Sequence, residues 1–126
     1  MDQKNTHILI VEDDTFLLNI YKTKFEFENF KVSTAENGEV GLAEARKKHP
    51  DLILLDILMP KVDGFTFLQE LKKDKTIQDI PVILLTNLGQ KDDVQKGLDL
   101  GAKDYIIKAH FKPSEILEKV RKVLGS

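Results

Sequence analysis

The sequence predicts a doubly wound α/β domain, in which helices cover both faces of a five-stranded parallel sheet. Apolar runs of four to six residues, rich in Ile, Leu and Val, alternate with longer amphipathic stretches, a pattern typical of βα units. At 126 residues the chain is long enough for one hydrophobic core and too short for two. We therefore expect residues 1–126 to form a single domain.

Five apolar runs are predicted as strands because each is short, β-branched or leucine-rich, and bounded by polar residues. They lie near Ile8–Val11, Lys31–Ala35, Leu52–Leu55, Val82–Leu85 and Asp104–Ile107. Right-handed crossovers between parallel strands would place helices on both sides of the sheet, as in the flavodoxin type of fold.

The intervening stretches are predicted as helices because their apolar residues recur at helical spacing. Examples are Leu17, Ile20 and Tyr21; Val94 and Leu98; and Ile116, Val120, Val123 and Leu124. We predict the first helix from Thr15 to about Glu28, ending near Asn29, although residues 25–30 alternate like a strand. Asn37 is a predicted N-cap, and Pro113 opens the last helix.

Composition excludes several classes of function. The net charge of −2 offers no basic field for binding nucleic acid directly. Cysteine is absent, so disulfides and thiolate metal sites are excluded. No apolar run approaches the roughly 20 residues that span a bilayer, and the polar start is no signal peptide. We expect a cytoplasmic protein with no membrane contact.

Acidic residues follow two of the predicted strands. Glu12 and Asp13 follow the first, and Asp56 follows the third. Three carboxylates on neighbouring strands repel one another and raise at least one pKa, a conflict that a divalent cation resolves. Oxygen ligands without His or Cys favour Mg²⁺ or Mn²⁺, which in such sites often bridge carboxylates and phosphate.

Two further polar residues end predicted strands, Thr86 the fourth and Lys108 the fifth. An ammonium and a hydroxyl at the same sheet edge suit phosphoryl transfer, with Asp56 as the candidate nucleophile. Each of these residues alone has a plainer explanation, namely a loop acid, a structural hydroxyl or a surface lysine. Their coincidence at successive strand ends favours a functional site.

At these residues the chain resembles the receiver domain of two-component response regulators, typified by the bacterial chemotaxis regulator. The matching motifs are Ile8–Asp14, Asp51–Pro60 with Asp63-Gly64 following, Pro81–Thr86, and Gly101–Lys108. The resemblance covers nearly the whole chain and implies a sheet of strand order 2-1-3-4-5.

The resemblance also implies a reaction. Asp56 would take a phosphoryl group from a sensor histidine kinase or a phosphotransfer protein in a Mg²⁺-dependent step. Metal ligands would be Asp13, Asp56, the carbonyl of Leu58 and, through water, Glu12. Lys108 and Thr86 would contact the phosphoryl group, and Tyr105 would reorient with Thr86.

The implied outcome is a switch rather than an enzyme acting on other molecules, since the domain would catalyse only its own phosphorylation and dephosphorylation. The fourth helix, fifth strand and fifth helix would engage a downstream protein or a fused output domain. Dimerisation on phosphorylation is left open. For Tyr105, packing with its hydroxyl in water is the alternative to a switching role.

The chain departs from the family pattern at three places. Alanine follows Lys108 where proline is usual, so we expect a trans Lys108–Ala109 peptide, because a non-proline cis bond costs about 2.5–4 kcal/mol. Asn87 replaces a small residue. Leu58 and Leu88, two residues beyond Asp56 and Thr86, occupy positions that resemble those tuning hydrolysis of the aspartyl phosphate in the family. Apolar side chains there cannot hold an attacking water, which predicts a long-lived phosphoform.

Other functions are weaker. A Mg²⁺-dependent aspartyl phosphohydrolase needs an acid near its nucleophile, commonly two residues on, where this chain has Leu58. Flavin or dinucleotide binding would need a glycine-rich loop after the first strand, and this chain has none there. A receiver-like binding module without phosphorylation also stays open. The histidines His7, His49 and His110 lack ligand spacing and are predicted on the surface.

Overall fold

Strands and helices alternate strictly along the chain. The computed structural model describes residues 6–59, 62–87, 90–108 and 112–125. Its strands are β1 (His7–Val11), β2 (Lys31–Ala35), β3 (Leu52–Asp56), β4 (Val82–Thr86) and β5 (Asp104–Ile107). Its helices are α1 (Thr15–Phe27), α2 (Gly38–Lys48), α3 (Gly64–Lys73), α4 (Lys91–Asp99) and α5 (Pro113–Gly125). Within the described residues, no helix is long and apolar enough to cross a bilayer.

All five strands are parallel and lie in the order β2-β1-β3-β4-β5, which confirms the predicted fold class. The chain turns to one side of β1 to make β2, and then to the other side to make β3. Such a reversal opens a crevice at the carboxyl ends of β1 and β3. The register pairs Val11 with Leu55, so the residues that follow them meet at this crevice.

The sheet is buried on both faces. Successive side chains of a central strand point to opposite faces, and in these strands nearly all of them are apolar. In β1, Leu9 and Val11 face the layer of α2, α3 and α4, whereas Ile8 and Ile10 face α1 and α5. Each such fully buried aliphatic side chain contributes about 1.5–3 kcal/mol by leaving water. The two layers pack against both faces of the strands whose ends form the crevice.

The first helix ends within a residue of its predicted end. Its buried face is formed by Leu18, Tyr21 and Phe25, whereas the predicted face included the half-buried Leu17 and Ile20. Asn29 turns the chain with φ of 71°, and Phe30 then packs edge-to-face on Phe25 at 5.6 Å between ring centroids. That return contact explains the strand-like alternation of residues 25–30.

Candidate functional site

Three carboxylates converge in the crevice, as their positions after β1 and at the end of β3 require. Oxygen atoms of Glu12, Asp13 and Asp56 all lie within 4.8 Å of one another. Glu12 is fully buried and Asp56 is 4% exposed, whereas Asp13 is open to solvent. The acids predicted from the strand ends therefore form one cluster.

Lys108 bridges the two buried acids. Its Nζ lies 2.6 Å from Glu12 Oε1 and donates a 2.9 Å hydrogen bond to Asp56 Oδ2. Burial lowers the pKa of Lys108, but its close contacts and charge interactions with Glu12 and Asp56 outweigh this effect and raise the pKa above its ordinary value. The ammonium is therefore retained beside the acids.

Glu12 has a strongly perturbed pKa. Burial and a hydrogen-bonding interaction with Asp56 raise it to about 8, and the opposing effect of Lys108 does not cancel them. Within the described residues, Glu12 Oε1 has no hydrogen bond of good geometry, because the contact with Nζ is an ion pair only. One lysine thus does not neutralise this cluster at neutral pH.

The donor set suits a hard divalent cation. Three carboxylates offer oxygen ligands, and the described part of the chain places no imidazole among them. A second positive charge would also stabilise the ionised form of Glu12, which burial and the neighbouring Asp56 disfavour. Glu12, Asp13 and Asp56 could therefore hold Mg²⁺.

The Asp56 carboxylate is oriented by both of its oxygens. Oδ1 accepts a 3.1 Å hydrogen bond from the Leu58 backbone N–H, and Oδ2 is held by Lys108. Leu58 is 49% exposed and lines the open cleft together with Leu17 and Asn87. A reactant can therefore reach Asp56 from solvent while the carboxylate keeps its orientation.

The two predicted switch residues line a cavity beside α4 that is separate from the cleft around Asp56. Thr86 is buried, and its hydroxyl donates a 3.0 Å hydrogen bond to Gln90 Oε1. Tyr105 is 36% exposed, and Lys119 Nζ lies 4.8 Å from its ring centroid, a cation–π contact. The structure thus gathers Lys108 with the acids and keeps Thr86 and Tyr105 outside that cluster.

Similarity to known proteins accompanies this geometry. The profile of the response regulator receiver domain matches residues 8–121. The chain belongs to the response regulator receiver domain family. The receiver domain is 44% identical over 117 residues to the DNA-binding dual master transcriptional regulator RpaA of Synechocystis, and 40% identical over 124 residues to the probable transcriptional regulator ycf27 of Pyropia yezoensis.

These matches cover 93% and 98% of the chain but only 48% and 49% of the relatives, so the chain spans about half of their length. A solved structure with TM-score 0.88 is the receiver domain of a sensor histidine kinase from Pseudomonas aeruginosa, with magnesium coordinated in its active site cleft. It is 25% identical, and the match covers 97% of this chain and 99% of that one.

Sequence reasoning missed two contacts of the receiver domain. Gln90 binds Thr86, and Lys119 contacts Tyr105; both residues lie outside any strand-end motif. Their positions along the chain carry no signal of these contacts, which depend on how α4 and α5 dock. The predicted role of Leu88, the Lys108–Ala109 peptide and the position of His110 lie outside the described residues.

Proposed function

We propose that Asp56 accepts a phosphoryl group from a phosphohistidine of a sensor histidine kinase or phosphotransfer protein. An Asp56 carboxylate oxygen forms a bond to phosphorus as the phosphorus–nitrogen bond breaks, and the imidazole nitrogen keeps the electron pair. The observation that carries the proposal is the Asp56 carboxylate, reachable from solvent and oriented by Lys108 and the Leu58 N–H.

We also propose a Mg²⁺ requirement, with Mn²⁺ as a substitute. Asp13, Asp56 and the Leu58 carbonyl would be direct ligands, and Glu12 would act through water. The bound cation would neutralise charge on the phosphoryl oxygens. The acidic cluster and the raised Glu12 pKa support this assignment.

Lys108 would then pair with the phosphoryl oxygens, and the Thr86 hydroxyl would turn toward them. A new dianion forms strong charge-assisted hydrogen bonds, which favour the conformation that brings these donors inward. We propose that Tyr105 follows Thr86, so that the surface of α4, β5 and α5 changes. This would convert phosphorylation into altered partner binding.

Residues 1–126 would act as one receiver domain that engages a downstream protein or a fused output domain. The half-length coverage of the RpaA and ycf27 relatives supports a fused output. Any DNA contact would belong to such an additional segment, because this chain carries a net charge of −2. Catalysis by the domain would be limited to its own phosphorylation and dephosphorylation.

The phosphohydrolase alternative has no support in the site. The residue two positions after Asp56 is Leu58, whose side chain cannot protonate a leaving group. The second alternative is a receiver-like module that binds partners without phosphorylation. A labelling experiment distinguishes it from the proposed phosphoacceptor.

The test is incubation with acetyl phosphate and Mg²⁺, followed by mass spectrometry of the intact protein. A mass gain of one phosphoryl group is expected in the wild type and in Asp63→Asn, which keeps a side-chain oxygen to cap α3. Asp56→Asn should show no gain. Labelling retained in Asp56→Asn would move the site, and no labelling of the wild type would leave only the binding module.

A further inference from the structure

The Thr86 hydroxyl is engaged before any phosphoryl group arrives. It is 2% exposed and donates 3.0 Å to Gln90 Oε1, with Asn87 O as a more distant acceptor at 3.4 Å. Both acceptors lie on the β4–α4 side, and the described residues give it no hydrogen bond to Asp56. While the Thr86 hydroxyl donates to Gln90, it cannot donate to a phosphoryl group on Asp56.

The orientation of the Gln90 amide is determined by its neighbours. Its Oε1 also accepts a 2.8 Å hydrogen bond from Asn87 N–H, a group that can only donate. Its Nε2 donates to Asp93 Oδ2 at 3.4 Å. An oxygen that accepts two donors, and a nitrogen directed at a carboxylate, leave one consistent assignment.

Formation of α4 does not account for this arrangement. Gln90 occupies the N-cap position, but its side chain makes no capping hydrogen bond to the first turn of the helix. Its side-chain oxygen instead reaches back along the chain to Asn87 and Thr86. Gln90 therefore joins the end of β4, where Thr86 lies, to the start of α4.

We propose that Gln90 is a positioning residue, a latch that holds Thr86 outward and opposes the switch. This inference rests on the proposed function, in which Thr86 turns toward the phosphoryl group. Turning inward breaks the hydrogen bond to Gln90 Oε1, so the latch stabilises the unphosphorylated conformation. Its strength, set by one neutral hydrogen bond, corresponds to about threefold to tenfold in the switch equilibrium.

The latch also predicts an affinity. A ligand that binds the inward conformation must work against the Thr86–Gln90 bond, so removing the bond raises its affinity by up to the same factor. Beryllofluoride with Mg²⁺ is a suitable probe because it mimics the phosphoryl group on a carboxylate. Acetyl phosphate gives the corresponding rate of phosphorylation.

The central comparison is Gln90→Met against Gln95→Met. Both substitutions remove a glutamine–aspartate hydrogen bond of α4, since Gln95 Nε2 donates to Asp99 Oδ1 at 2.9 Å, but only the first releases Thr86. Gln90→Met should bind beryllofluoride about threefold to tenfold more tightly than the wild type. Gln95→Met should match the wild type. Equal affinities in all three proteins would overturn the latch.

A second variant covers the case in which Gln90→Met folds poorly, as judged by circular dichroism and thermal melting. Gln90→Glu keeps an acceptor and makes it a carboxylate, which forms the stronger, charge-assisted hydrogen bond with Thr86. Its affinity for beryllofluoride should be lower than that of the wild type. An increase would contradict the latch.

A double-mutant cycle tests whether the effect passes through Thr86. In a Thr86→Ala background there is no hydroxyl to release, so adding Gln90→Met should leave the affinity unchanged. The same threefold to tenfold gain in that background would overturn the proposal. It would show that Gln90 acts on the cleft by another route.

The latch and the phosphoacceptor proposal fail separately. If the wild type is labelled on Asp56 but Gln90→Met changes neither rate nor affinity, the latch alone is wrong. If the wild type is not labelled at all, the Thr86 side-chain rotamer measured by NMR in the free protein becomes the readout. Gln90→Met should shift that rotamer population, and an unchanged population would overturn the latch.

Discussion

We expect Glu12 to determine how the acidic cluster responds to pH. Burial and Asp56 raise its pKa to about 8, so near neutral pH the metal-free cluster holds a proton that a bound cation must displace. We predict that Mg²⁺ binding releases up to one proton. The affinity for Mg²⁺ should therefore increase by up to about tenfold for each unit by which the pH is raised toward 8. Calorimetry in buffers of different ionisation enthalpy measures both quantities.

The control is Glu12→Gln, whose side-chain amide has no proton to release when the cation binds. Its weaker Mg²⁺ affinity should be independent of pH. Stability should show the opposite trend: because the folded pKa is raised, the contribution of Glu12 is fully present at low pH and is lost as pH rises through about 8. An affinity for Mg²⁺ that is constant from pH 6 to 9 in the wild type would contradict the assignment.

We expect the Leu58 side chain to influence the lifetime of the proposed phosphoform. Its half-exposed side chain lines the cleft and offers an attacking water no hydrogen bond. We predict slow hydrolysis of the phosphorylated wild type and an increase of roughly threefold to thirtyfold in Leu58→Asn, whose amide can position water. Loss of the phosphoryl mass over time gives the rate. Hydrolysis of the wild type within seconds at neutral pH would refute the prediction.

At the level of elements, α3 packs unusually close to the end of β3. A Cβ on Gly64 would lie 2.7 Å from Ile57 Cα and 2.9 Å from Asp56 O, which are backbone atoms that cannot rotate away. Gly64 N–H also donates to Ile57 O at 2.9 Å. The first residue of α3 therefore positions the backbone of the candidate phosphoacceptor.

We predict that Gly64→Ala lowers the free energy of unfolding by about 1–3 kcal/mol, although alanine favours helix by up to about 1 kcal/mol. Phosphorylation by acetyl phosphate should slow as well, since Asp56 is displaced. Gly125→Ala is the matched control, because in the described part of the chain no atom beyond its own helix and neighbours lies within 4 Å of a Cβ at that position. Urea titration of both variants provides the comparison, and equal stability would show that the loop after β3 can yield.

Over the whole molecule, the two ends of the sheet carry different polar networks. The carboxyl end holds the acidic cluster, whereas the opposite end buries His7, whose Nε2 lies 2.7 Å from Ser33 Oγ. The prediction of a surface histidine was wrong here, because α2 covers this end and Lys48 also bonds to Ser33. His49 is exposed, as predicted.

Burial, and then the charges of Lys31 and Lys48, lower the His7 pKa below 6.5, against opposing effects of Asp51 and Glu44. The folded state therefore binds this proton less readily than the unfolded chain, and stability is lost as pH falls below 6.5. We predict that His7→Gln reduces the loss of thermal stability between pH 7.5 and 5. His49→Gln should behave like the wild type. An identical pH dependence in all three proteins would contradict the assignment.

Much of this molecule could be predicted from the chain alone. The strands were identified because central parallel strands must be apolar throughout, and the acids because charges at strand ends interrupt those runs. The docking of the helices could not be predicted in the same way. The buried face of α1, centred on Leu18 rather than Leu17, differs by one position, which is below what apolar spacing resolves.

By itself, then, the sequence determined the order of elements, the strand-end residues and the cluster of Glu12, Asp13 and Asp56. Periodicity and topology suffice for these, since parallel strands bring their carboxyl ends to one edge. Only the tertiary structure decided with which partner each polar group forms a hydrogen bond or an ion pair. Lys108 bridges two acids, Thr86 donates to Gln90 and His7 is buried against Ser33. These pairings depend on distances between elements that are far apart in the chain, and no local sequence pattern encodes them.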